Sequence, residues 1–400
     1  MQSIERAAVI TAAVAALAAC SANIGGGSLL SAGNGAPAAI RATQRALPPN
    51  VVRACPVTDA SVMHCLALIR TDVGGISKFA GYTPADLQDA YALPSSKNGK
   101  GQVVAVIDAF DDPNVEADLA TYRSNFGLPP CTSSNSCFRK VNQLGHTGHL
   151  PSPDPGWASE QALDTQIVSA VCPHCSILLV EANTPSASNL AKSVDVAVAL
   201  GANVVSNSYF GFGLKGMQYA AYYDHPGTII TASAGDEGYG ISEPAGYPTV
   251  VAVGGTKLTV EHNKRGWKEI AWTWTGSGCE ARLAKPSWQT DTGCKGRTMN
   301  DVAAIADPAR GVAIYDSYYE KGWIEVGGTS VSSPLIAGVY ALAENASSLD
   351  AAQSLYAPGA SLWDVTLGSN GTCVRKYLCN ARTGYDGPTG NGTPNGISAF

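Results

Sequence analysis

Short, almost wholly apolar segments that alternate with helical patterns constrain this 400-residue chain more than any other feature. Segments 101–110, 177–182 and 228–234 contain at most one charged residue each, which is typical of strands buried on both faces of a sheet. Segments 114–126 and 190–200 lie between such strands and have apolar residues at helical spacing. This alternation predicts an α/β fold with a mostly parallel central sheet flanked by helices. In such folds, functional groups gather at the carboxyl ends of the strands.

Charge and hydropathy exclude two classes of protein. The formal net charge is −6, from 26 Lys and Arg residues against 32 Asp and Glu residues, and no basic run is present. Nucleic-acid binding is therefore not expected. No apolar run reaches the roughly 18–20 residues that a membrane-spanning helix needs, so an integral membrane protein is also excluded.

The first part of the chain has the pattern of an export signal followed by a tether. Residues 1–20 contain an apolar stretch and end in Leu-Ala-Ala-Cys, which resembles the cleavage motif of bacterial lipoproteins. In that interpretation Cys20 carries a lipid, whereas an ordinary signal peptide is the alternative. Residues 21–50 are rich in Gly, Ala and Pro, which is typical of a flexible tether. Residues 51–80 are interpreted as a short pro-segment or N-terminal extension, and residues 81–400 as the main domain.

The cysteine count agrees with export. The chain has 11 cysteines, and setting Cys20 aside leaves ten, the even number expected of an exported disulfide protein. Cys172 and Cys175 also form a CxxC pattern that redox proteins and zinc sites use, but no second CxxC completes a zinc site. Sequence adjacency favours the pairs Cys55/Cys65, Cys131/Cys137, Cys172/Cys175, Cys279/Cys294 and Cys373/Cys379.

The strongest chemical motif is GGTSVSSP at 327–334, which precedes a helix of small apolar residues. Ser330 stands where the loop enters the helix, and Pro334 is expected in the first helical turn. Free N–H groups and the positive end of the helix dipole favour an oxyanion at such a position. Ser330 is therefore a candidate nucleophile, the alternative being a helix cap in a glycine-rich loop. The motif resembles the nucleophile segment of subtilisin-like peptidases.

A serine nucleophile needs a base, and two arrangements are open. Subtilisin-like enzymes use an Asp and a His, for which Asp108 and His149 are the candidates here. Segment 157–171 instead predicts a helix that places Glu160 and Asp164, four residues apart, on one face. Acids at this spacing usually belong to a solvated helix face, but a close carboxyl pair can also share a proton.

Serine, glutamate and aspartate together form the catalytic triad of the sedolisins, the serine-carboxyl peptidases. Residues 81–400 resemble that family, and we interpret them as the peptidase domain of a divergent bacterial member. The similar segments are YTPADLQDAY at 82–91, the helix that carries both acids, SAGDEG at 233–238, and GTSVSSP. The resemblance implies a subtilisin-like fold and activity at acidic pH.

The resemblance also implies roles for individual residues. Ser330 would attack the peptide carbonyl, Glu160 would take and return the proton, and Asp164 would orient Glu160. Asp236 would stay protonated and donate a hydrogen bond to the oxyanion. The residues implied to bind substrate are Ser208, Tyr209 and Gly211 on one wall of the cleft and Ser233 on the other. Gly211 also begins a GxGxxG pattern, but without the rest of a dinucleotide site this signal is weak.

The resemblance further implies one calcium ion near the C-terminus. Two aspartates in a Gly-rich region, with neighbouring carbonyl groups, would supply much of the oxygen shell that calcium prefers. A Gly-rich turn with two helix caps is the alternative. The implied ligands are Asp364, Val365, Arg382, Gly384 and Asp386.

The sequence thus predicts an exported, monomeric, calcium-binding peptidase that acts on peptides or proteins. It would contact a membrane only through a lipid at Cys20. Two alternatives stay open: a subtilisin-type enzyme with a histidine base, and a catalytically inactive surface protein that uses the same fold to bind a partner.

Overall fold

A computed structural model describes most of the chain beyond the predicted tether. The described residues are 47–57, 59, 61–73, 79–211 and 218–400. The predicted signal peptide, Cys20 and the tether up to residue 46 lie outside them. Within the described residues, no helix combines the length and the apolar character needed to cross a membrane.

Five helices and eighteen strands are present in the described part of the chain. The helices are α1 (Pro84–Ala90), α2 (Val115–Asn125), α3 (Pro155–Val171), α4 (Ala187–Ala199) and α5 (Thr329–Ala343). The strands are β1 (Val51–Arg53), β2 (His64–Cys65), β3 (Leu68–Arg70), β4 (Val103–Ala109), β5 (Phe138–Asn142), β6 (Ser176–Ala182), β7 (Val204–Asn207), β8 (Tyr209–Phe210), β9 (Ile229–Ser233), β10 (Val251–Val260), β11 (Trp267–Ala271), β12 (Gly278–Ala284), β13 (Gly296–Met299), β14 (Val302–Ile305), β15 (Val312–Asp316), β16 (Gly322–Gly327), β17 (Leu362–Trp363) and β18 (Thr393–Pro394).

The central sheet confirms the predicted α/β architecture. Its strand order is β11-β10-β9-β7-β4-β6-β5, and β14 pairs with β10. The pairings from β10 through β5 and between β10 and β14 are parallel, whereas β11 is antiparallel to β10. Strands β4, β7 and β9 are neighbours, so the residues that follow them meet at one edge of the sheet.

Both faces of the central sheet are covered, which explains its apolar strands. Along β4, Val104 and Val106 belong to one buried cluster, and Ala105 and Ile107 belong to another. This alternation follows from the two-residue period of a strand. Helices α3 and α5 pack on the first face, and α4 packs on the second.

A second, four-stranded sheet connects the N-terminal segment to the main domain. Its order is β1-β3-β16-β15, and all its pairings are antiparallel. Strand β16 leads directly into the helix that carries Ser330. The predicted pro-segment, residues 51–80, therefore supplies two strands to a sheet beside the candidate nucleophile.

Helices α3 and α5 are buried along almost their full length. Asp154 caps α3 by accepting hydrogen bonds from the N–H groups of Gly156 and Trp157, both at 3.0 Å. Gly328 precedes α5 with a φ of 98°, a left-handed conformation that glycine adopts without strain. The prediction for Pro334 was wrong by one turn, because α5 begins at Thr329 and Pro334 is its sixth residue. Proline there cannot bond to the Ser330 carbonyl, and the Ser208 hydroxyl donates to that oxygen instead at 3.5 Å.

All five predicted disulfides form in the structure. Cys172 and Cys175 are buried and bonded to each other at the end of α3. Each disulfide closes a loop of 15 residues or fewer and fixes a local turn.

Candidate active site

The N-terminus of α5 places Ser330 deep inside a cleft. Ser330 is fully buried, and its Oγ lies 3.2 Å from the carbonyl oxygen of Ser208, to which it donates. As the second residue of the helix, Ser330 stands among backbone N–H groups that have no partner within the helix. The local geometry therefore fits a nucleophile next to an anion-stabilising helix end.

Glu160 faces Ser330 from the side of α3. Its Oε2 accepts hydrogen bonds from the N–H groups of Leu66 at 3.2 Å and Ala67 at 2.8 Å. The N–H group of Leu66 also lies 3.2 Å from Ser330 Oγ, so one amide contacts both side chains. The buried Oε1 of Glu160 has no hydrogen-bond partner of ordinary geometry. The structure thus brings together the predicted nucleophile and the predicted base.

Asp164 lies one turn further along α3, and Asp108 approaches from the end of β4. Both side chains are fully buried, and none of their four carboxyl oxygens has a hydrogen-bond partner of ordinary geometry. Sequence reasoning considered Asp108 only as the partner of a histidine base. The structure instead makes it the third member of a carboxyl cluster with Glu160 and Asp164.

Burial is the main cause of the unusual protonation of this cluster. It raises the pKa of Asp108 to about 8. Burial, followed by repulsion from Asp108, raises the pKa values of Glu160 and Asp164 well above their ordinary range. Among the described residues, no cation lies close enough to lower these three pKa values. The cluster therefore retains protons at pH values where exposed carboxyls are ionised.

The histidine of the alternative mechanism, His149, lies elsewhere. It is exposed, as is the nearby His146, whereas Ser330 and Asp108 are fully buried. Within the described residues, no hydrogen bond joins either ring to Ser330 or Asp108. The structure therefore brings carboxyls, and not a histidine, next to the candidate nucleophile.

Asp236 lies beside the start of α5. Its Oδ1 accepts hydrogen bonds from the N–H group and the hydroxyl of Thr329, at 2.9 and 2.7 Å, while the buried Oδ2 has no partner of ordinary geometry. Burial raises the pKa of Asp236 to about 7, against the lowering effects of Thr329 and Arg53. In mild acid this side chain is therefore protonated, and Oδ2 is the oxygen that is free to donate.

Of the predicted substrate-binding residues, Ser208 and Ser233 contact the start of α5, and Tyr209 and Gly211 lie on or directly after β8. Tyr209 pairs antiparallel with Cys65, and Ser233 Oγ donates to the Thr329 carbonyl at 2.9 Å. Gly211 exchanges two backbone hydrogen bonds with Glu243, at 3.0 and 3.2 Å. Gly211 is therefore occupied by Glu243, whereas the backbone of β8 pairs with residues 64 and 65.

A segment of the chain itself occupies the cleft. Strand β2 pairs with β8, and Leu68 at the start of β3 pairs with Gly327 at the end of β16. Residues 64–68 thus cross the site in front of Ser330. Sequence reasoning missed this placement, for which the Cys55/Cys65 pair within the predicted pro-segment was the one available signal.

The predicted calcium ligands lie on two neighbouring loops. Asp386 is buried and accepts hydrogen bonds from Thr389 and from the Arg382 N–H group. Asp364 is exposed and accepts a hydrogen bond from the Gly384 N–H group at 3.0 Å. Val365, the fifth predicted ligand, is buried. The described residues contain no group of three or more acidic, histidine or cysteine side chains that could hold a metal. A cation here would therefore depend on two carboxylates and on backbone carbonyls.

Comparison with known proteins identifies the family. A sequence model of the subtilase family matches residues 155–382. The chain is 30% identical to kumamolisin from Bacillus sp. (strain MN-32) over 359 residues, covering 79% of this chain and 62% of that protein. It is 28% identical to sedolisin from Pseudomonas sp. (strain 101) over 395 residues, covering 86% of this chain and 64% of that protein. The chain thus spans less than two thirds of the length of both relatives.

Solved structures agree with these similarities. The structure of Pseudomonas sedolisin, a serine-carboxyl proteinase complexed with two molecules of pseudo-iodotyrostatin, superimposes with a TM-score of 0.68 at 26% identity. That match covers 80% of this chain and 96% of the other. Sphericase, with a TM-score of 0.52, 17% identity and coverage of 80% and 99%, shares the fold. The fold, the sequence matches and the carboxyl cluster beside Ser330 agree, and the chain belongs to the subtilase family, among its sedolisin-type members.

Proposed function

We propose that the chain is a serine-carboxyl peptidase that hydrolyses peptide bonds in mild acid. One observation carries the proposal: the N–H group of Leu66 lies 3.2 Å from both Ser330 Oγ and Glu160 Oε2. The candidate nucleophile and the candidate base therefore meet at the same point of an extended chain. A carboxylate in this position can take the serine proton during attack and return it to the leaving amine.

The hydrogen bonds within the carboxyl cluster determine which of its three carboxyl groups is ionised first. Glu160 receives two backbone N–H groups, whereas the oxygens of Asp108 and Asp164 receive none. Hydrogen bonds to a carboxylate favour its charged form, so the first negative charge on the cluster belongs on Glu160. Asp164 and Asp108 then keep their protons and limit the repulsion that Glu160 experiences. Because the three groups are coupled, the pH profile reports the ionisation of the cluster as a whole.

Asp236 supplies the second function of the site. Attack on a peptide carbonyl creates a negative charge on its oxygen, and a positioned donor stabilises that charge. With its pKa raised to about 7, mainly by burial, Asp236 can be this donor in mild acid. Above that pH its carboxylate would repel the oxyanion. Asp236 therefore favours activity on the acidic side of neutrality.

The test is digestion of a peptide library between pH 3 and pH 8 with mass-spectrometric readout. We expect an optimum at roughly pH 3–5.5 and complete loss of cleavage in Ser330→Ala. Ser332→Ala is the matched control, because Ser332 is on the same helix but donates to the carbonyls of Ala304 and Ile305. An optimum near pH 8 with a fully active Glu160→Gln variant would instead favour the pair Asp108 and His149.

We also propose one structural calcium ion at the C-terminal loops. Asp386 and Asp364 bind two N–H groups of the same turn, at Arg382 and Gly384, so the two carboxylates converge. Burial and, to a smaller extent, the charge of Asp364 raise the pKa of Asp386 to about 7, and a cation would remove this repulsion. Carboxylates of Asp364 and Asp386 and carbonyls of the other predicted ligands would hold the ion. The calcium ion would act electrostatically: it would neutralise the two carboxylates and so hold the two loops together.

Chelation tests the calcium proposal. A ligand that binds only the folded state stabilises it, so chelator should lower the melting temperature. Asp386→Asn should abolish this sensitivity, whereas exposed Asp350→Asn should keep it. Equal melting curves with and without chelator would refute the calcium site.

Export and the monomeric state are further proposals. Five disulfides support an oxidising compartment, and the predicted signal peptide would direct the chain there, with or without lipid at Cys20. The candidate catalytic side chains all come from one chain, so the proposed site needs no second subunit, and we propose a monomer. Its partners would be peptide or protein substrates.

A further inference from the structure

One lysine and two acids meet toward the carboxyl ends of three neighbouring strands of the central sheet. Strands β4, β6 and β5 lie side by side in that order. Asp111 follows β4, Glu181 is the sixth residue of β6, and Lys140 is on β5. Three adjacent strands therefore bring two carboxyl groups and one amine together. None of the three side chains takes part in the proposed catalytic mechanism.

Lys140 contacts both acids. Its Nζ lies 2.5 Å from Asp111 Oδ1 and 3.5 Å from Glu181 Oε1. Its remaining close contact is the carbonyl oxygen of Asp112, to which it donates at 2.7 Å. The side chains of Lys140 and Asp111 are 17% and 12% exposed, and that of Glu181 is fully buried. Water therefore has little access to the amine or to the carboxyl group nearest to it.

Glu181 is a buried acid beside this ion pair. Neither of its carboxyl oxygens has a hydrogen-bond donor of ordinary geometry, so the site is a poor one for a negative charge. Burial, opposed by the charge of Lys140, raises the pKa of Glu181 to about 9. The charge of Asp111 and a hydrogen bond between the two carboxyl groups add to this rise. Glu181 is therefore protonated in neutral solution and has Asp111 as its acceptor.

An amine, a carboxyl group and a protonated acid in contact are the groups that amide formation needs. Well-oriented intramolecular reactions reach effective molarities of about 10⁵–10⁸ M, so proximity alone can make a slow condensation feasible. Transfer of one proton from Lys140 to Asp111 gives a neutral amine and a neutral acid. Because buried charges are poorly solvated, this transfer costs less here than in water. The amine is then a nucleophile next to the Asp111 carboxyl carbon.

From this geometry we propose that Lys140 and Asp111 form an intramolecular amide, or isopeptide, bond. The Lys140 nitrogen attacks the Asp111 carboxyl carbon while Glu181 gives its proton to the carbonyl oxygen. The Glu181 carboxylate then takes a proton from the nitrogen and passes it to one hydroxyl group. The C–O bond to that group breaks, water leaves, and the proton of the remaining hydroxyl group returns to Glu181. The reaction thus forms one C–N bond, releases one water and restores the protonated Glu181.

Another lysine and aspartate are in contact elsewhere but lack the third group. Lys285 forms an ion pair with Asp291, and the two side chains are 17% and 5% exposed. Their other side-chain partners are the hydroxyl groups of Thr298 and Tyr377. Within the described residues, no second carboxyl group forms a hydrogen bond or an ion pair with either of them. This pair has no buried acid equivalent to Glu181 and should stay unlinked.

The bond would secure the edge of the central sheet. Among the described strands, β5 pairs only with β6, and the new bond crosses over β6 to the residue that follows β4. It joins positions 29 residues apart, and the disulfide between Cys131 and Cys137 lies inside this loop. A covalent link of this kind lowers the entropy of the unfolded chain. The linked protein should therefore melt at a higher temperature than a variant that cannot form the bond.

Peptide mapping of the reduced full chain tests the inference. The Ser330→Ala variant is used because it cannot digest itself, and the link does not depend on peptidase activity. We expect trypsin to release residues 101–123 joined to residues 140–192, because a linked Lys140 is no longer a cleavage site. The joined fragment should weigh about 18 Da less than the sum of its two parts, which is the mass of one water.

Two variants and one control separate the bond from the ion pair. Lys140→Arg keeps the positive charge but removes the amine, so the joined fragment should disappear and the melting temperature should fall. Glu181→Gln removes only the proton donor. General acid–base catalysis contributes about 10²–10⁴-fold, so the linked fraction at a fixed early time after refolding should fall at least about tenfold. Lys285→Arg is the matched control and should keep the link.

Three results would overturn the inference. The first is a wild-type map in which residues 101–123 and 141–192 are found only as separate fragments. The second is loss of one water without a joined fragment, which would indicate that an aspartate has cyclised onto its own backbone. The third is a link between Lys285 and Asp291, which would show that contact alone suffices. An undiminished rate of linking in Glu181→Gln would overturn the role of Glu181 as proton donor.

Discussion

Two fully buried groups of ionisable side chains in this molecule are built in opposite ways. The carboxyl cluster in the cleft contains Asp108, Glu160 and Asp164, without a cation close enough to lower their pKa values among the described residues. The second group is an ion pair of Arg297 and Asp301, both 0% exposed, with a 2.7 Å contact from Arg297 Nη1 to Asp301 Oδ1.

The second group is almost completely hydrogen-bonded. Asp301 also accepts from the Tyr356 hydroxyl and from the Ala252 N–H group, both at 2.8 Å. Arg297 donates further bonds to the carbonyls of Val250 and Thr298. Such a pair links β13 and the residue before β14 to the start of β10, and it has no need to change its charge.

The difference shows what each group is for. Burying an ionisable group without a partner is costly, so a fold keeps such groups where chemistry requires them. The cleft cluster bears that cost and gains carboxyls that hold their protons more tightly than exposed carboxyls do. The paired group avoids the cost and contributes to the structure. Variants that remove one carboxyl from each group should therefore lose different properties.

The largest expected effect is loss of activity in Glu160→Gln. General acid–base catalysis contributes about 10²–10⁴-fold, so peptide hydrolysis at about pH 4 should fall by roughly 10³-fold or more. Stability at pH 7 should not decrease, because the amide removes a buried carboxyl that is costly to ionise. Hydrolysis rates and chemical unfolding of the same preparation measure both, with exposed Glu261→Gln as the control. A variant that unfolds more easily but keeps its activity would reverse the assignment.

The next largest effect is loss of stability in Asp301→Ala. Removing one partner of a buried ion pair leaves an uncompensated charge, here on Arg297, and costs about 3–5 kcal/mol. Unfolding in denaturant should show this loss in a Ser330→Ala background, which prevents self-digestion. Replacing both residues by apolar side chains should recover most of it. A loss below about 1 kcal/mol would mean that the pair is not structural.

The sequence predicts the fold and most of the site because each depends on local patterns. Apolar strands alternating with helices indicate the parallel sheet, and a four-residue spacing places Glu160 and Asp164 on one helix face. Glycine before a helix indicates the turn that places Ser330 at the start of the helix. These features need no knowledge of distant contacts.

What the sequence does not show depends on tertiary contacts. Asp108 ends a strand 52 residues before Glu160, and nothing local indicates that the two carboxyls meet. Strand β2 has two residues, too few for a periodic pattern, and its partner Tyr209 is 144 residues away. Occupation of the cleft by residues 64–68 is therefore visible only in three dimensions. The antiparallel edge strand β11 likewise follows from pairing rather than from its own sequence.

Per pH unit, the smallest expected effect is a change in the pH dependence of stability. Burial raises the pKa of Asp108 to about 8, while an unfolded aspartate titrates near 3.9. Between these values the folded state binds the extra proton, so stability is full below about pH 4 and is lost as the pH rises toward 8. One such proton gives a slope of about 1.4 kcal/mol per pH unit. Glu181, Asp386 and other buried acids with raised pKa values add to the total slope.

The contribution of Asp108 is therefore the difference between Ser330→Ala and the double variant with Asp108→Asn, measured by denaturant unfolding at several pH values. The double variant should have the flatter profile, whereas an added Asp350→Asn at the surface should leave the slope unchanged. Equal slopes with and without Asp108 would show that this carboxyl is ionised in the folded protein, and would remove the contrast between the cleft cluster and the paired group.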